Sequence, residues 1–254
     1  MESVQTLDTA EALDAAATSP SVETSPSFEG SHFNDERTAV SRVTFYFDPA
    51  CPWTWRTSRW LVEAAAARGV PVEYAAFELS AGRPIDQAAP EHQAAAVASR
   101  LFLRGLVAAR EEGRHGLIAS WYTAYGTALW EEGTEPSADL VRRTLTASGG
   151  TDLMHTLDDT HLDAAVATSR TDALEWAGDD VGSPVTVWHV AGGHRGFFGP
   201  VVAPAPTGSG SDALWDAVVA AAAVPEFFEL KSRRTSSPIE RLSDRPSGES
   251  NGVQ

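Results

Sequence analysis

Nine residues decide the fold: Phe47-Asp48-Pro49-Ala50-Cys51-Pro52-Trp53-Thr54-Trp55, which include the only cysteine of the 254-residue chain. Residues 42–47 before the cysteine are mostly β-branched and aromatic, a composition typical of a strand. After it, apolar residues recur at helical spacing as far as Gly69, a plausible helix stop. Pro52 suits the first helical position, because its fixed φ is helical and its missing N–H would have no partner there. The sequence therefore predicts Cys51 at a junction between a strand and a helix.

That junction favours a reactive thiol at Cys51. Unpaired N–H groups and the positive end of the helix dipole lower the pKa of a thiol at a helix N-terminus, which makes the sulfur a nucleophile. The alternative is that Cys51 is a small buried hydrophobe, as most lone cysteines are. The order strand, cysteine, proline, helix favours the first interpretation, because it is also the order around the redox motif Cys-x-x-Cys.

Thr54 stands where the second sulfur of that motif would be. Threonine cannot form a disulfide, so the chemistry left is that of one thiol: attack, a mixed disulfide with a small thiol, and release by a second thiol molecule. Thr54 lies one helical turn from Cys51, and we expect its hydroxyl to donate a hydrogen bond to the thiolate. The sequence thus predicts a monothiol mechanism.

The remaining elements predict a thioredoxin-like α/β fold. A second strand at 70–77 completes a βαβ unit, helical periodicity runs from Glu91 to about Gly178, and a hairpin follows at 185–190 and 195–198. Ser211 is expected to cap a last helix from Asp212 to about Val224. The predicted order is therefore β-α-β, an inserted all-helical subdomain, then β-β-α. Residues 41–230 form this domain, with the insertion at about 86–178.

Both ends of the chain are predicted to be disordered. Residues 1–40 are rich in Ser, Thr, Ala and acidic residues and have few large apolar groups, so they cannot bury enough surface to offset ordering entropy. Residues 231–254 are polar and rich in Ser and Pro.

A thioredoxin-like site also needs a proline in a cis peptide bond that faces the sulfur. Ser183-Pro184 precedes the predicted hairpin, where this fold would place such a proline, so we expect a cis bond there. Pro184 and its neighbour Ser183 would then hold a thiol cosubstrate through backbone contacts. Trp53 and Trp55 could offer an apolar wall to a flat substrate.

Composition excludes several classes of function. A net charge of −16 argues against nucleic acid and anionic membrane surfaces as partners. No apolar run approaches the roughly 18 residues of a membrane span, and the first residues lack the features of a secretory signal.

The seven histidines show no metal-ligand spacing, so no metal is expected. A single cysteine fits a reducing cytoplasm. The sequence assigns no oligomeric state.

Four separated stretches resemble a known family. They are FDPACPWTWRTSRW at 47–60, WYTAYG at 121–126, GSPVTVWHV with the following FFGP at 182–200, and LWDAV with PEFFELK at 214–231. They are similar to the actinobacterial DsbA-like, mycothiol-dependent nitroreductases, and the resemblance covers roughly residues 43–238. It implies a thioredoxin fold with a helical subdomain, a cytoplasmic setting, and electrons taken from mycothiol. Cys51 matches the nucleophile of the family and Pro184 its cis-proline, whereas Thr54 replaces the usual second cysteine of Cys-Pro-Trp-Cys.

We therefore expect a thiol-dependent oxidoreductase that works through Cys51, with mycothiol as cosubstrate and an oxidised or electrophilic small molecule as substrate. Pro52, Trp53 and Thr54 complete the motif. Two alternatives remain open. One is a thiol-binding enzyme similar to the kappa-class glutathione transferases and chromene-carboxylate isomerases, in which Thr54 or Cys51 activates a bound thiol. The other is a redox-inactive binding module on the same fold.

Overall fold

The computed structural model describes residues 39–82, 84–87, 89–191 and 193–238. Four strands in this part of the chain form one sheet: β1 (Val40–Phe47), β2 (Val72–Ala76), β3 (Val185–Val190) and β4 (Gly193–Phe198). The helices are α1 (Pro52–Ala66), α2 (Pro90–Glu111), α3 (His115–Gly126), α4 (Ala138–Ala147), α5 (Asp163–Ala177) and α6 (Gly208–Ala222). Short 3₁₀ turns lie at Ile85–Gln87, Thr151–Asp158 and Thr160–Leu162, and a π-helical turn at Thr127–Glu131 continues α3.

The sheet has the strand order β2-β1-β3-β4. Strand β1 is parallel to β2, with Phe45 opposite Tyr74, and antiparallel to β3, with Thr44 opposite Val187. Strands β3 and β4 form an antiparallel hairpin. This is the predicted order β-α-β, helices, β-β-α, so the thioredoxin-like fold class is confirmed.

One face of the sheet, called the first face below, packs against α1 and the inserted helices and contributes to most of the hydrophobic core. Phe45 and Phe47 of β1 point to this face and are fully buried among side chains of α1 and of the inserted helices. The ring centroids of Phe47 and Tyr122 are 4.2 Å apart, and Phe102 stacks on Trp121 at 3.9 Å. Aromatic pairs of this kind stabilise a fold beyond the area they bury. The strand that leads to Cys51 is thereby fixed by packing.

Helix α5 covers the second face. Its Ala173 packs with Tyr46 and Val185 in a separate cluster, and the Ser169 hydroxyl donates a hydrogen bond of 2.9 Å to the carbonyl of Ala76. Helices α2, α3 and α4 instead pack with one another beyond the first face. The region predicted as the insertion, 86–178, thus contains a helical group and one helix that lies on the sheet.

Gly126 permits a close approach between the inserted helices and α1. A Cβ atom at Gly126 would overlap the ring of Trp55. A glycine at this position therefore lets α3 pack directly against the helix that begins at the active-site motif.

The start of α6 differs from the prediction. The helix begins at Gly208 with Thr207 at its N-cap, so the expectation that Ser211 caps it is wrong by four residues. Ser211 is buried in the first turn, and its carbonyl accepts a hydrogen bond of 3.3 Å from the indole of Trp60. Tertiary contacts thus outweigh the low helix propensity of Gly208 and Gly210.

The described residues include only part of the two terminal regions that the sequence predicts to be disordered. Residues 1–38 and 239–254 lie outside the described residues, so the disorder expected for them stays a prediction. Residues 231–238 are described, have no helix or strand, and are largely exposed.

Candidate active site

Cys51 is the N-cap residue of α1. Its backbone is extended, with φ −94° and ψ 114°, and Pro52 occupies the first turn of the helix, as predicted. The Cys51 N–H donates to the carbonyl of Asp48 at 3.0 Å, and its carbonyl accepts from the N–H of Trp55 at 3.2 Å. The sulfur therefore lies at the start of a helix, after a closed turn between strand and helix, and Cys51 is only 6% exposed.

The structure brings Cys51 and Ser183 together across 132 positions of sequence. The Cys51 thiol donates a hydrogen bond of 3.6 Å to the Ser183 carbonyl. The Ser183–Pro184 peptide bond is cis, in agreement with the expectation from the sequence, and β3 begins directly after it. The Pro184 carbonyl accepts from the Gly199 N–H at 2.8 Å, which ties this bond to the end of β4. Backbone that precedes the proline thus faces the sulfur.

Thr54 is fully buried beside them. Its hydroxyl shares a hydrogen bond of 2.9 Å with the hydroxyl of Ser183, and among the described residues no hydrogen bond joins it to the Cys51 sulfur. Ser183 therefore contacts both positions of the motif, the thiol through its carbonyl and the threonine through its side chain. The expected stabilisation of the thiolate by Thr54 stays a prediction.

The two tryptophans of the motif have different surroundings. Trp55 is 2% exposed, its ring lies edge-on to Tyr122 at 5.6 Å, and its indole N–H donates to Glu131 at 2.7 Å. The ring of Trp55 thus belongs to the core and is not available as the wall for a flat substrate. Trp53 is only half-buried. Of the two rings, that of Trp53 is the one open to contact.

Asp48 is a functional candidate to which sequence reasoning gave no role. Its carboxylate is 2% exposed and accepts three hydrogen bonds: from the Ala50 N–H at 2.8 Å, the Leu79 N–H at 2.8 Å and the Ser99 hydroxyl at 2.6 Å. Burial raises the pKa of Asp48, and the three hydrogen bonds act in the opposite direction. One carboxylate thereby joins the Cys51 turn to the segment after β2 and to α2.

A cation and a phenol lie behind the motif. The guanidinium of Arg59 lies 4.1 Å from the ring centroid of Trp55, and burial lowers the pKa of this arginine. Burial raises the pKa of Tyr122 well above its usual value, while the charge of Arg59 acts to lower it and a charge at Cys51 to raise it further. The Tyr122 phenol is thus kept neutral beside the site.

A cavity of about 630 Å³ opens next to Leu79. Its lining comes from the segment after β2 and the start of α2, including Pro84, Ile85 and His92. Leu79 connects the cavity to the site in two ways: its N–H is bound by Asp48, and its side chain lies 3.5 Å from where a Cβ of Gly182 would be. The space is within the size range of small-molecule pockets.

Two classes of feature are absent from the described part of the chain. No group of three His, Cys, Asp or Glu side chains there is arranged to hold a metal ion. No helix within the described ranges is long and apolar enough to cross a membrane.

The chain is similar to known proteins. Residues 50–232 match the family model for the mycothiol-dependent nitroreductase Rv2466c. The chain is also 27% identical over 216 residues to the uncharacterised protein Rv2286c of Mycobacterium tuberculosis (strain ATCC 25618 / H37Rv), covering 81% of this chain and 88% of that protein.

Two solved structures are similar to this chain, and the first of them has the same fold. The probable DsbA oxidoreductase SCO1869 from Streptomyces coelicolor has a TM-score of 0.50 at 21% identity, covering 77% of this chain and 95% of that one. The cytosolic disulfide reductase DsbM from Pseudomonas aeruginosa has a TM-score of 0.47 at 16% identity, covering 71% of this chain and 100% of that one.

Proposed function

The chain belongs to the Rv2466c-like family of mycothiol-dependent nitroreductases and is a thiol-dependent oxidoreductase of DsbA-like fold. We propose that it reduces an oxidised or electrophilic small molecule with electrons from mycothiol. In this proposal the reaction proceeds through one protein sulfur, that of Cys51. The observation that carries the proposal is the contact between the Cys51 thiol and the backbone before cis-Pro184, at the N-terminus of a helix that has no second cysteine. A cytoplasmic setting is part of the proposal, because a reducing compartment keeps a lone thiol in use.

The residues around the sulfur fit a small thiol as cosubstrate. The Ser183 carbonyl lies at hydrogen-bond distance from the sulfur, so backbone next to Pro184 is placed to hold a thiol that reacts there. The half-buried ring of Trp53 provides apolar surface for the other substrate. Mycothiol supplies the electrons when bound, and the chain supplies the nucleophile and the position.

The chemistry balances with one protein thiol. For a nitro substrate, the Cys51 thiol and one mycothiol thiol together lose two electrons and two protons and become a mixed disulfide. The substrate gains them and becomes a nitroso product plus water. A second mycothiol thiolate then attacks the mixed disulfide at the mycothiol sulfur, which releases the Cys51 thiolate and mycothiol disulfide. Each two-electron reduction therefore consumes two mycothiol molecules.

Mass spectrometry of the intact protein tests the monothiol mechanism. After mild oxidation with mycothiol present, the wild type should carry one mycothiol adduct at Cys51, and excess mycothiol should remove it. In Thr54→Cys the added thiol would expel the bound mycothiol intramolecularly, at an effective concentration that free thiol cannot match. We therefore expect that variant to form an intramolecular disulfide with no lasting adduct.

The control is Cys51→Ser, which is nearly isosteric and should form no adduct and show no mycothiol-dependent turnover. An unreactive Cys51 beside saturable mycothiol binding would favour the transferase-like alternative instead, and inertness in both assays would favour a binding module. The structure counts against Thr54 as the residue that activates a bound thiol, because its hydroxyl is buried and paired with Ser183. Two free thiols in folded, oxidised Thr54→Cys would contradict a thioredoxin-like site.

A further inference from the structure

Residues 231–238, the C-terminal segment, lie against the start of α1. The Arg234 guanidinium carbon is 4.5 Å from the ring centroid of Trp53, and the Arg56 Nε–H donates a hydrogen bond of 2.8 Å to the Pro238 carbonyl. Trp53 is the ring of the Cys-Pro-Trp-Thr motif that remains open to contact. The segment thus places a cationic side chain against the tryptophan two positions after Cys51.

The charge of this segment is opposite to that of the protein. Three basic residues, Lys231, Arg233 and Arg234, fall within four positions, and no acidic residue occurs in 231–238, whereas the whole chain carries −16. Among the described residues, none of the three forms an ion pair with a carboxylate. A protein with a large negative net charge repels anions, and a cluster of basic residues beside a binding site makes the local electrostatic potential positive.

Arg234 is arranged to bind an anion. A guanidinium that stacks on an aromatic ring keeps its N–H donors free at its edge, where they match the geometry of a carboxylate. Arg234 makes no hydrogen bond to any described residue, and its side chain is exposed. Arg233 and Arg234 come directly after residue 232, the end of the match to the family model, so the feature is not supplied by the family pattern.

We propose that Arg234 is a specificity-determining residue of the Cys51 site, and that it selects planar anionic substrates such as aromatic carboxylates. The guanidinium binds the carboxylate, and the adjoining ring of the substrate lies beside Trp53. This inference rests on the proposed function for its reaction, but the binding preference can be measured without turnover.

Two aromatic disulfides measure the preference at the sulfur. The Cys51 thiolate attacks the S–S bond of either reagent, a mixed disulfide forms, and the other half leaves as a nitrothiobenzoate anion or, after protonation, as a pyridinethione, each followed by its absorbance. Dithiobis(nitrobenzoate) carries a carboxylate on each ring, whereas dithiodipyridine is neutral. In Arg234→Ala we expect the ratio of the two rates, anionic over neutral, to fall roughly 3- to 10-fold, and the preference of the wild type should weaken as salt is added.

Arg233→Ala is the matched control, because it removes the same charge one residue away from the contact with Trp53; its ratio should stay within about twofold of the wild type. If the ratio of the anionic to the neutral rate is unchanged in Arg234→Ala, the proposal is overturned. An equal rise of both rates would also overturn it, because Arg234 would then only limit access to the sulfur and would not select between substrates. Turnover of nitrobenzoate against nitrobenzamide should shift in the same direction. Should neither nitro compound be turned over by the wild type while the disulfide ratio still shifts, the proposed reaction fails and the anion site stands.

Discussion

The turn that carries Cys51 is held differently on its two sides. On the inner side, the buried carboxylate of Asp48 binds the turn itself, the segment after β2 and Ser99 of α2. On the outer side, Trp53 and Arg56 contact the exposed C-terminal segment through one stacked cation and one hydrogen bond to a carbonyl. Asp48 and Ser99 are almost fully buried, whereas Arg234 and most of the C-terminal segment are exposed.

This difference separates two tasks of the site. Hydrogen bonds to a buried charge cost more to break than exposed ones, because the donors left behind have no water to bind. The inner side therefore fixes where the sulfur lies, and substitutions there should affect the stability of the whole domain. The outer side can change with little effect on the fold, which leaves it free to set substrate preference.

The largest effect should come from Asp48→Ala. The substitution leaves the N–H groups of Ala50 and Leu79 and the buried hydroxyl of Ser99 without their acceptor. Because removal of the buried charge offsets part of this loss, we expect the free energy of unfolding to fall by about 2–4 kcal/mol, measured by urea denaturation.

Ser99→Ala is the matched control, since it deletes a single one of these hydrogen bonds and should cost about 1 kcal/mol. If Asp48→Ala costs no more than that control, the inner side does not hold the turn.

The pH dependence of stability should distinguish Asp48 from a paired carboxylate. Burial raises the pKa of Asp48 in the folded protein above that of the unfolded chain. The folded state then binds more protons above about pH 4, so the stability contributed by Asp48 is full below that pH and is lost as the pH rises through the folded pKa. The free energy of unfolding of the wild type minus that of Asp48→Asn should therefore decrease with rising pH.

Asp163→Asn should give the opposite slope. Arg104 binds the Asp163 carboxylate at 2.6 and 2.8 Å and lowers its pKa. The stability from that pair is present at neutral pH and is lost as the pH falls, although the effect is small because 45% of the Asp163 side chain is exposed. Two slopes of the same sign would show that Asp48 does not behave as a buried, unpaired acid.

Local sequence signals predicted the elements that carry the site. The strand before Cys51, the proline after it and the spacing of apolar residues each reflect short-range chemistry, and β1 and α1 lie where these signals put them. The order of elements then located Ser183 and Pro184 opposite the sulfur, although they are 132 and 133 positions away.

The sequence did not predict the contacts that depend on three-dimensional packing. Trp53 and Trp55 are alike in sequence, yet Trp55 is buried because Gly126 of α3 leaves room for its ring. The partners of Asp48 come from the end of β2 and from α2, and no periodicity indicates that the two meet at one carboxylate. The predicted start of α6 was four residues late, and the hydrogen bond from Trp60 to the carbonyl of Ser211 joins residues far apart in sequence.

The smallest effect on stability should come from removing the C-terminal segment. A chain that ends at Leu230 lacks this segment together with residues 239–254, and it loses the contact of Arg234 with Trp53 and the partly buried hydrogen bond from Arg56 to Pro238. An exposed cation–π contact contributes about 0.5–1 kcal/mol, and part of this is returned as conformational entropy of the released residues. We expect the free energy of unfolding to change by less than about 1 kcal/mol, or the Tm by no more than about 4 °C. Differential scanning calorimetry of the two chains measures this, with Arg234→Ala in the full chain to isolate the cation–π contact with Trp53. A loss as large as that of Asp48→Ala would mean that the segment is part of the folded core, and the contrast between the two sides of the turn would then disappear.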